Sequence, residues 1–404
     1  MYFTAAGMQF PGMAPMPVLA ASSTNGTSSL AIMRMLQEQA VSQEHVTVGH
    51  FLDKGAFGDV ETAYYHGTVV AVKYVRALGD VQQQNITLQN LKLELEIVKF
   101  LRHPNIVGWI GIVGTFPELG KTEPALTVGS MFEYCEGGQL NNLIHIQKVQ
   151  FSSAQKLSMM TDIAMGLSYL HAQNIIHRDL STRNLLLQDG NVKLCDFGCA
   201  RRLTFGSNSI TPKMIMGSPP WMSPEQISGQ PLTLKSDVFS YGTIVWEIAT
   251  GLVPHDKADE NFTAPSTMEV FKAAICNGLN PRLPSAGHMP DCSPSVLSDL
   301  NRLLMLLSQH SPDLRPTSEQ ARRIITQIAK GVCSDMNDTP IEGNVSRLFM
   351  WLEDRMDLGR KIVEFYKKYN PTKMSTLSEV LANFVGTEVE MSDHARLGPQ
   401  GSQY

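Results

Sequence analysis

The sequence predicts an α+β protein of two lobes, and three observations carry that prediction. Short β-branched runs punctuated by glycine fill residues 45 to 74, "VTVGHF", "GDVETAYY" and "TVVAVKYV". Helical periods take over after residue 150, and an apolar content of 43% over 404 residues supplies enough side chains for a sizeable core.

The elements follow in order. Residues 1–44 read as a flexible extension, because "MYFTAAGMQFPGMAPMPVLAASS" has no sustained period and carries prolines at 11, 15 and 17. Within it, "LAIMRMLQEQAV" from Leu30 to Val41 has room for a short helix. The antiparallel sheet of residues 45–74 comes next, and then a helix, "LQNLKLELEIVKFL". There Leu88, Leu91, Leu95 and Val98 make one apolar stripe. Glu94 lies on the edge of that stripe, and Glu96, about 200° further round, points away. A long core helix is predicted in "SAQKLSMMTDIAMGLSYLHAQN", where Leu157, Met160, Ile163, Ala164, Leu167 and Leu170 keep the helical spacing. The main domain is thus expected over 45–332, with an N-terminal lobe at 45–133 and a C-terminal lobe at 136–332. Beyond it, residues 340–386 carry two further stripes, Val345 to Met356 and Leu377 to Phe384, the second opened by the capping box "TLSE". Those helices could hold a regulatory partner or pack on themselves; 387–404 reads as a disordered tail.

Composition removes several function classes. The formal net charge is −5 and no run of five basic residues occurs, so no nucleic-acid partner is expected. No stretch of eighteen apolar residues occurs, so no membrane span is expected. The six cysteines, at 135, 195, 199, 276, 292 and 333, show neither zinc-site pairing nor a secreted framework, which fits reduced thiols in a cytoplasmic protein.

The chemistry rests on a set of motifs. Alone, "FLDKGAFGDV" is as good a hairpin turn as a phosphate cradle, and a lone "DFG" is most often a turn. Here "GAFGDV", "VAVK", "HRDLSTRN", "DFG", "SPE", "SDVFSYG" and "RPT" stand in sequence between residues 46 and 330. This order and spacing resembles that of the eukaryotic protein kinases. The resemblance implies a bilobal kinase fold and transfer of the ATP γ-phosphoryl group with Mg²⁺. It gives Lys73 to the α- and β-phosphates and Glu94 as its ion-pair partner, since His103 follows Glu94 at the family spacing. Asp179 becomes the catalytic aspartate, Asn184 and Asp196 the metal ligands, Phe197 and Gly198 the rest of "DFG". Arg178 becomes a receiver for an activation-loop phosphate.

The same resemblance places adenine between Leu52, Val60, Ala71 and Leu186, against a hinge of Glu133 to Cys135 with Phe132 closing the pocket behind. Gly55 and Gly58 keep two of the three family glycines, and Asp53 replaces the first. A carboxylate there repels phosphates unless it points outward. Glu225, Asp237 and Arg315 are implied to be supports of the helical lobe.

The acceptor class is mixed. "HRDLSTRN" has Arg183 where tyrosine kinases carry it, but Ser218 in "GSPPWMSPEQ" stands where serine/threonine kinases have a hydroxyl. This mixture resembles the tyrosine-kinase-like group, whose members mostly phosphorylate serine and threonine in protein substrates. The segment from Cys199 to Met222 holds no tyrosine, leaving Thr204, Ser207, Ser209 and Thr211 for activating phosphorylation. The alternatives are a tyrosine or dual-specificity kinase and a pseudokinase scaffold, for which only Asp53 speaks.

Overall fold

The computed structural model describes residues 29–55, 58–76, 81–115, 127–204, 206–212, 214–255, 275 and 284–333. The chain begins with helix α1 (Ser29–Gln39), then forms strands β1 (Val46–Gly55), β2 (Gly58–Tyr65) and β3 (Thr68–Arg76). Helix α2 (Val81–Val98) precedes β4 (Trp109–Thr115) and β5 (Thr127–Glu133). These strands form one five-stranded antiparallel sheet in the order β1-β2-β3-β5-β4. The alternating β-branched runs are what this sheet requires. Val70 and Val72 are buried on one face with Ala63 and Met131, while Val60, Ala71 and Lys73 share the other by register.

The second lobe is built on α3 (Ser153–Ala172), which starts where Ser152 and Gln155 exchange both bonds of a capping box. All six residues of its predicted stripe are buried. Small strands follow: β6 (Gly138–Gln139), β7 (Ile175–Ile176), β8 (Leu185–Gln188), β9 (Asn191–Leu194) and β10 (Arg201–Arg202), with β6-β8-β9 forming one sheet and β10-β7 another. Helices α4 (Pro224–Ile227), α5 (Leu234–Thr250), α6 (Pro294–Leu307) and α7 (Ser318–Cys333) complete the lobe. Helix α5 is buried from Ser236 to Ala249, polar side chains included, so it runs through the lobe's centre. It stops at Gly251, whose left-handed φ of 71° lets its N–H reach the Glu247 carbonyl.

One expectation needs correction. Residues 29–44 are not a loose extension: Ile32 and Leu36 are 1% and 0% exposed and share one core with Leu88, Leu91 and Leu95 of α2. Burying two such side chains contributes roughly 1.5–3 kcal/mol each, enough to dock a helix too short to be stable alone. The expected segments at 1–28, 340–386 and 387–404 lie outside the described residues.

Candidate active site

Between the two lobes, the predicted residues converge. The Lys73 ammonium lies 2.9 Å from Glu94 Oε1 and 2.8 Å from Asp196 Oδ1. Strand β3 delivers the lysine, α2 the glutamate, and the turn after β9 the aspartate. Burial works against the ammonium, but Asp196 and then Glu94 outweigh it, and the Lys73 pKa is raised above the ordinary lysine value. Burial likewise opposes ionisation of Asp196, yet Lys73 wins and holds that carboxyl below the usual range. Glu96 is exposed and faces Lys92 instead, as its place on the helix predicts.

Asp179 lies near Asp196, in the loop after β7. Its Oδ1 accepts from the Ser218 N–H at 2.8 Å and its Oδ2 from Asn184 Nδ2 at 3.1 Å. Burial, with the nearby Asp196 charge, raises its pKa despite those bonds. The loop carrying it is pinned from beneath: Asp237, on α5, accepts from the His177 and Arg178 N–H groups at 2.7 and 2.9 Å and from His171 Nε2 at 3.0 Å. That grip sustains Arg178 in a left-handed backbone conformation, φ 69°, which a non-glycine residue adopts only at a cost of about 1–2 kcal/mol. The His177 ring donates to the Cys195 carbonyl and packs on Phe197, which is buried.

Asn184 gives its amide nitrogen to Asp179, twice, leaving its side-chain oxygen as a hard donor. Its carbonyl accepts from the Cys195 N–H at 3.0 Å, which brings Asn184 beside Asp196. A carboxylate and an amide oxygen so placed fit magnesium, which takes one or two protein oxygens and completes its shell from phosphates and water.

The nucleotide walls also assemble. Val60 pairs with Lys73, and Ala71 with Phe132, so these side chains line one face of the sheet. Leu186 faces Gln139 across β6 and β8, and Leu52 stands exposed on β1. At the hinge, Glu133 gives its N–H to the Gly108 carbonyl, while its carboxylate accepts from the Gly108 N–H and from Lys193. The Cys135 carbonyl accepts from the Gly138 N–H at 3.2 Å, which turns the chain from the hinge into β6. Burial pushes the Cys135 thiol up to about 12 and the Cys195 thiol well above its ordinary value, so neither is a ready nucleophile.

The loop glycines separate by role. Gly55 pairs with Gly58 where β1 turns into β2. A Cβ on Gly58 would lie 1.8 Å from the Tyr74 carbonyl oxygen, so this glycine serves the close packing of β2 on β3. Asp53 is exposed, and its Oδ2 accepts from Gln139 Nε2 at 3.0 Å, a contact between the sheet lobe and the first residues after the hinge.

The sequence also matches known proteins. The family described as "Protein kinase domain" matches residues 46–326, more than half of the chain. The chain belongs to that family. It is 30% identical to the Arabidopsis thaliana serine/threonine-protein kinase STY46 over 72% of this chain and 46% of that protein. The A. thaliana serine/threonine-protein kinase CTR1 is 39% identical over 48% of this chain and 23% of its own length. A probable serine/threonine-protein kinase of Dictyostelium discoideum is 30% identical over 71% and 28%. The chain therefore spans less than half the length of these relatives.

Within this kinase domain, the supports also stand where expected. Arg315 makes a two-pronged pair with Glu225 at 2.7 and 2.8 Å, donates to the carbonyls of Gln309, Lys235 and His310, and lies over Phe239. Four residues escaped the sequence reading. Glu247 of α5, fully buried, accepts from Thr182, Trp221 and His145, joining the catalytic loop to the segment after Ser218. Gln226 donates to the Arg178 and Met216 carbonyls at 2.6 and 2.7 Å. Arg201 and Arg202 join Arg178 and Thr211 around a cavity of about 300 Å³. Only "ARR", just after "DFG", could have signalled the last two; a buried Glu or Gln has no sequence mark.

Proposed function

We propose that this protein transfers the ATP γ-phosphoryl group to serine and threonine hydroxyls of protein substrates, as a member of the tyrosine-kinase-like group. The observation that carries the reading is the joint placement of Lys73, Glu94 and Asp196 in one ion-paired cluster, with Asp179 close enough for the Asp196 charge to act on it. Phosphoryl transfer asks mainly for positioning and charge stabilisation, and these residues supply both. Lys73, held by Glu94, meets the α- and β-phosphates. Asp179 orients the acceptor hydroxyl and takes its proton as the oxygen bonds to the γ-phosphorus and the bond to the β,γ-bridging oxygen breaks, releasing ADP. Asp196 and Asn184 would hold Mg²⁺, which supplies charge neutralisation of the phosphates. Adenine lies between Leu52, Val60, Ala71 and Leu186, with Phe132 closing the space behind it.

Serine/threonine specificity is supported by the relatives, which are serine/threonine-protein kinases by name, and by the Ser218 N–H on Asp179, which sets a hydroxyl-bearing residue beside the catalytic carboxylate. Among the described residues no helix is long and apolar enough to cross a membrane, and a cytoplasmic site of action fits the reduced thiols. The test is a kinase assay on a mixed Ser/Thr and Tyr peptide panel, wild type against Asp179→Asn. Loss of about 10²–10⁴-fold in kcat, with phosphoserine and phosphothreonine as products, is expected. Equal activity in both proteins sinks the assignment, and dominant phosphotyrosine sinks the acceptor class.

A further inference from the structure

Helix α1 lies wholly before residue 46, where the family match begins, yet it is built into the sheet lobe. Ile32 and Leu36, four residues apart on one face, are almost fully buried in the same core as Leu88, Leu91 and Leu95. Those three belong to α2, and Glu94, also buried, sits between Leu91 and Leu95. The far end of α1 is fixed to the sheet. Ala40 bridges Ile112 in parallel register, and the Val41 N–H donates to the Ile112 carbonyl at 2.7 Å, covering part of the outer edge of β4. Val41 also meets Gly111: a Cβ there would stand 3.2 Å from its methyl carbon. One short segment thus grips the helix that carries Glu94 with its side chains and the sheet that carries Lys73 with its backbone.

We infer that α1 is a brace that holds α2 where Glu94 reaches Lys73, and that Ile32 and Leu36 are positioning residues for phosphoryl transfer. A helix whose polar tie to the sheet is one ion pair can still shift along its apolar contacts. A second attachment with no charge in it restricts that shift without competing for the lysine. The residues 29–41 are therefore part of the working catalytic unit rather than a leader to it.

This inference rests on the kinase reading above, and the experiment separates the two. In the full chain, Leu36→Ala is compared with wild type, with Glu94→Gln, and with the double variant. The expected result for Leu36→Ala is a fall in kcat of tenfold or more with the peptide KM unchanged. In the Glu94→Gln background the same change should cost less than twofold, because the partner it acts through is already lost. Multiplicative losses in the double variant overturn the proposal. Amide hydrogen exchange supplies a readout that needs no activity: residues 88–98 should exchange at least tenfold faster in Leu36→Ala, with residues 234–250 unchanged. A uniform rise, or none, also overturns it. Should Leu36→Ala fail to fold, Ile32→Val is measured the same way, with a smaller change confined to residues 88–98 expected and an unchanged or uniform pattern counting against the brace. An inactive wild type would sink the kinase reading and leave the exchange test of the brace standing.

Discussion

At the scale of single residues, two carboxylates pulled in opposite directions define the site. Lys73 holds the Asp196 carboxyl below the usual range, while burial raises Asp179, a split that suits the proposed roles of fixed anion and proton acceptor. Activity needs Asp179 deprotonated, hence it declines as pH falls through a value above the ordinary aspartate range. A profile of kcat/KM between about pH 4 and 8 should show that acid limb; a limb at the ordinary aspartate value contradicts the assignment. Asp53 is the other residue with a decision to make. Its oxygen is turned to Gln139, but its charge still stands on the glycine-rich turn. Asp53→Gly and Asp53→Asn should each lower KM for ATP a few-fold, an effect of about 0.5–1 kcal/mol that shrinks in high salt. No gain in either, measured by ATP titration, means the carboxylate is harmless.

At the scale of elements, the segment from Arg201 to Met216 is arranged around cationic side chains. Arg178, Arg201 and Arg202 line one cavity with Thr211, and the buried Arg178 Nε has no hydrogen-bond partner. Burial and then the neighbouring Arg201 lower the Arg178 pKa, the signature of a site that favours an anion. Thr211 lines this cavity; Thr204, Ser207 and Ser209 belong to the same segment without lining it, and Ser207 donates to the Ser209 carbonyl. A phosphate on Thr211 would give the guanidinium groups charge-assisted bonds. The expected outcome is that Thr211→Ala lowers activity about tenfold and that phosphatase treatment lowers wild type but not the variant, followed by mass spectrometry of the loop. An unchanged variant transfers the role to another hydroxyl.

For the molecule as a whole, buried ion pairs tie the helical lobe together, and they carry its acid sensitivity. Burial opposes ionisation of Glu225 and Asp237, but Arg315 lowers the first and His171, with the loop N–H groups, lowers the second. Both therefore contribute stability that is complete above about pH 4–5 and lost as pH falls through their depressed values; the raised Asp179 acts in the reverse sense. Arg315→Ala should destabilise the fold by about 3–5 kcal/mol in a denaturant titration, because Glu225 is left buried without its cation. Arg315→Lys should recover little, since lysine cannot form the two-pronged pair.

Much of this whole was legible beforehand. The strand alternation, the stripes of α2 and α3 and the ordered motifs foretold the sheet, the two long helices and the kinase family, because each rests on local period or fixed spacing. What stayed hidden depends on contacts between distant segments. Asp53 and Gln139 are 86 residues apart, Glu247 collects partners from three elements, and the two apolar residues of α1 are too few to declare where they dock.

The Asp53–Gln139 bond has a last consequence for turnover. It joins β1 of the sheet lobe to β6 just after the hinge. Being exposed, it yields to ordinary thermal motion, so on the proposed kinase reading it is expected to act as a snap fastener that delays each departure of ADP slightly and never traps it.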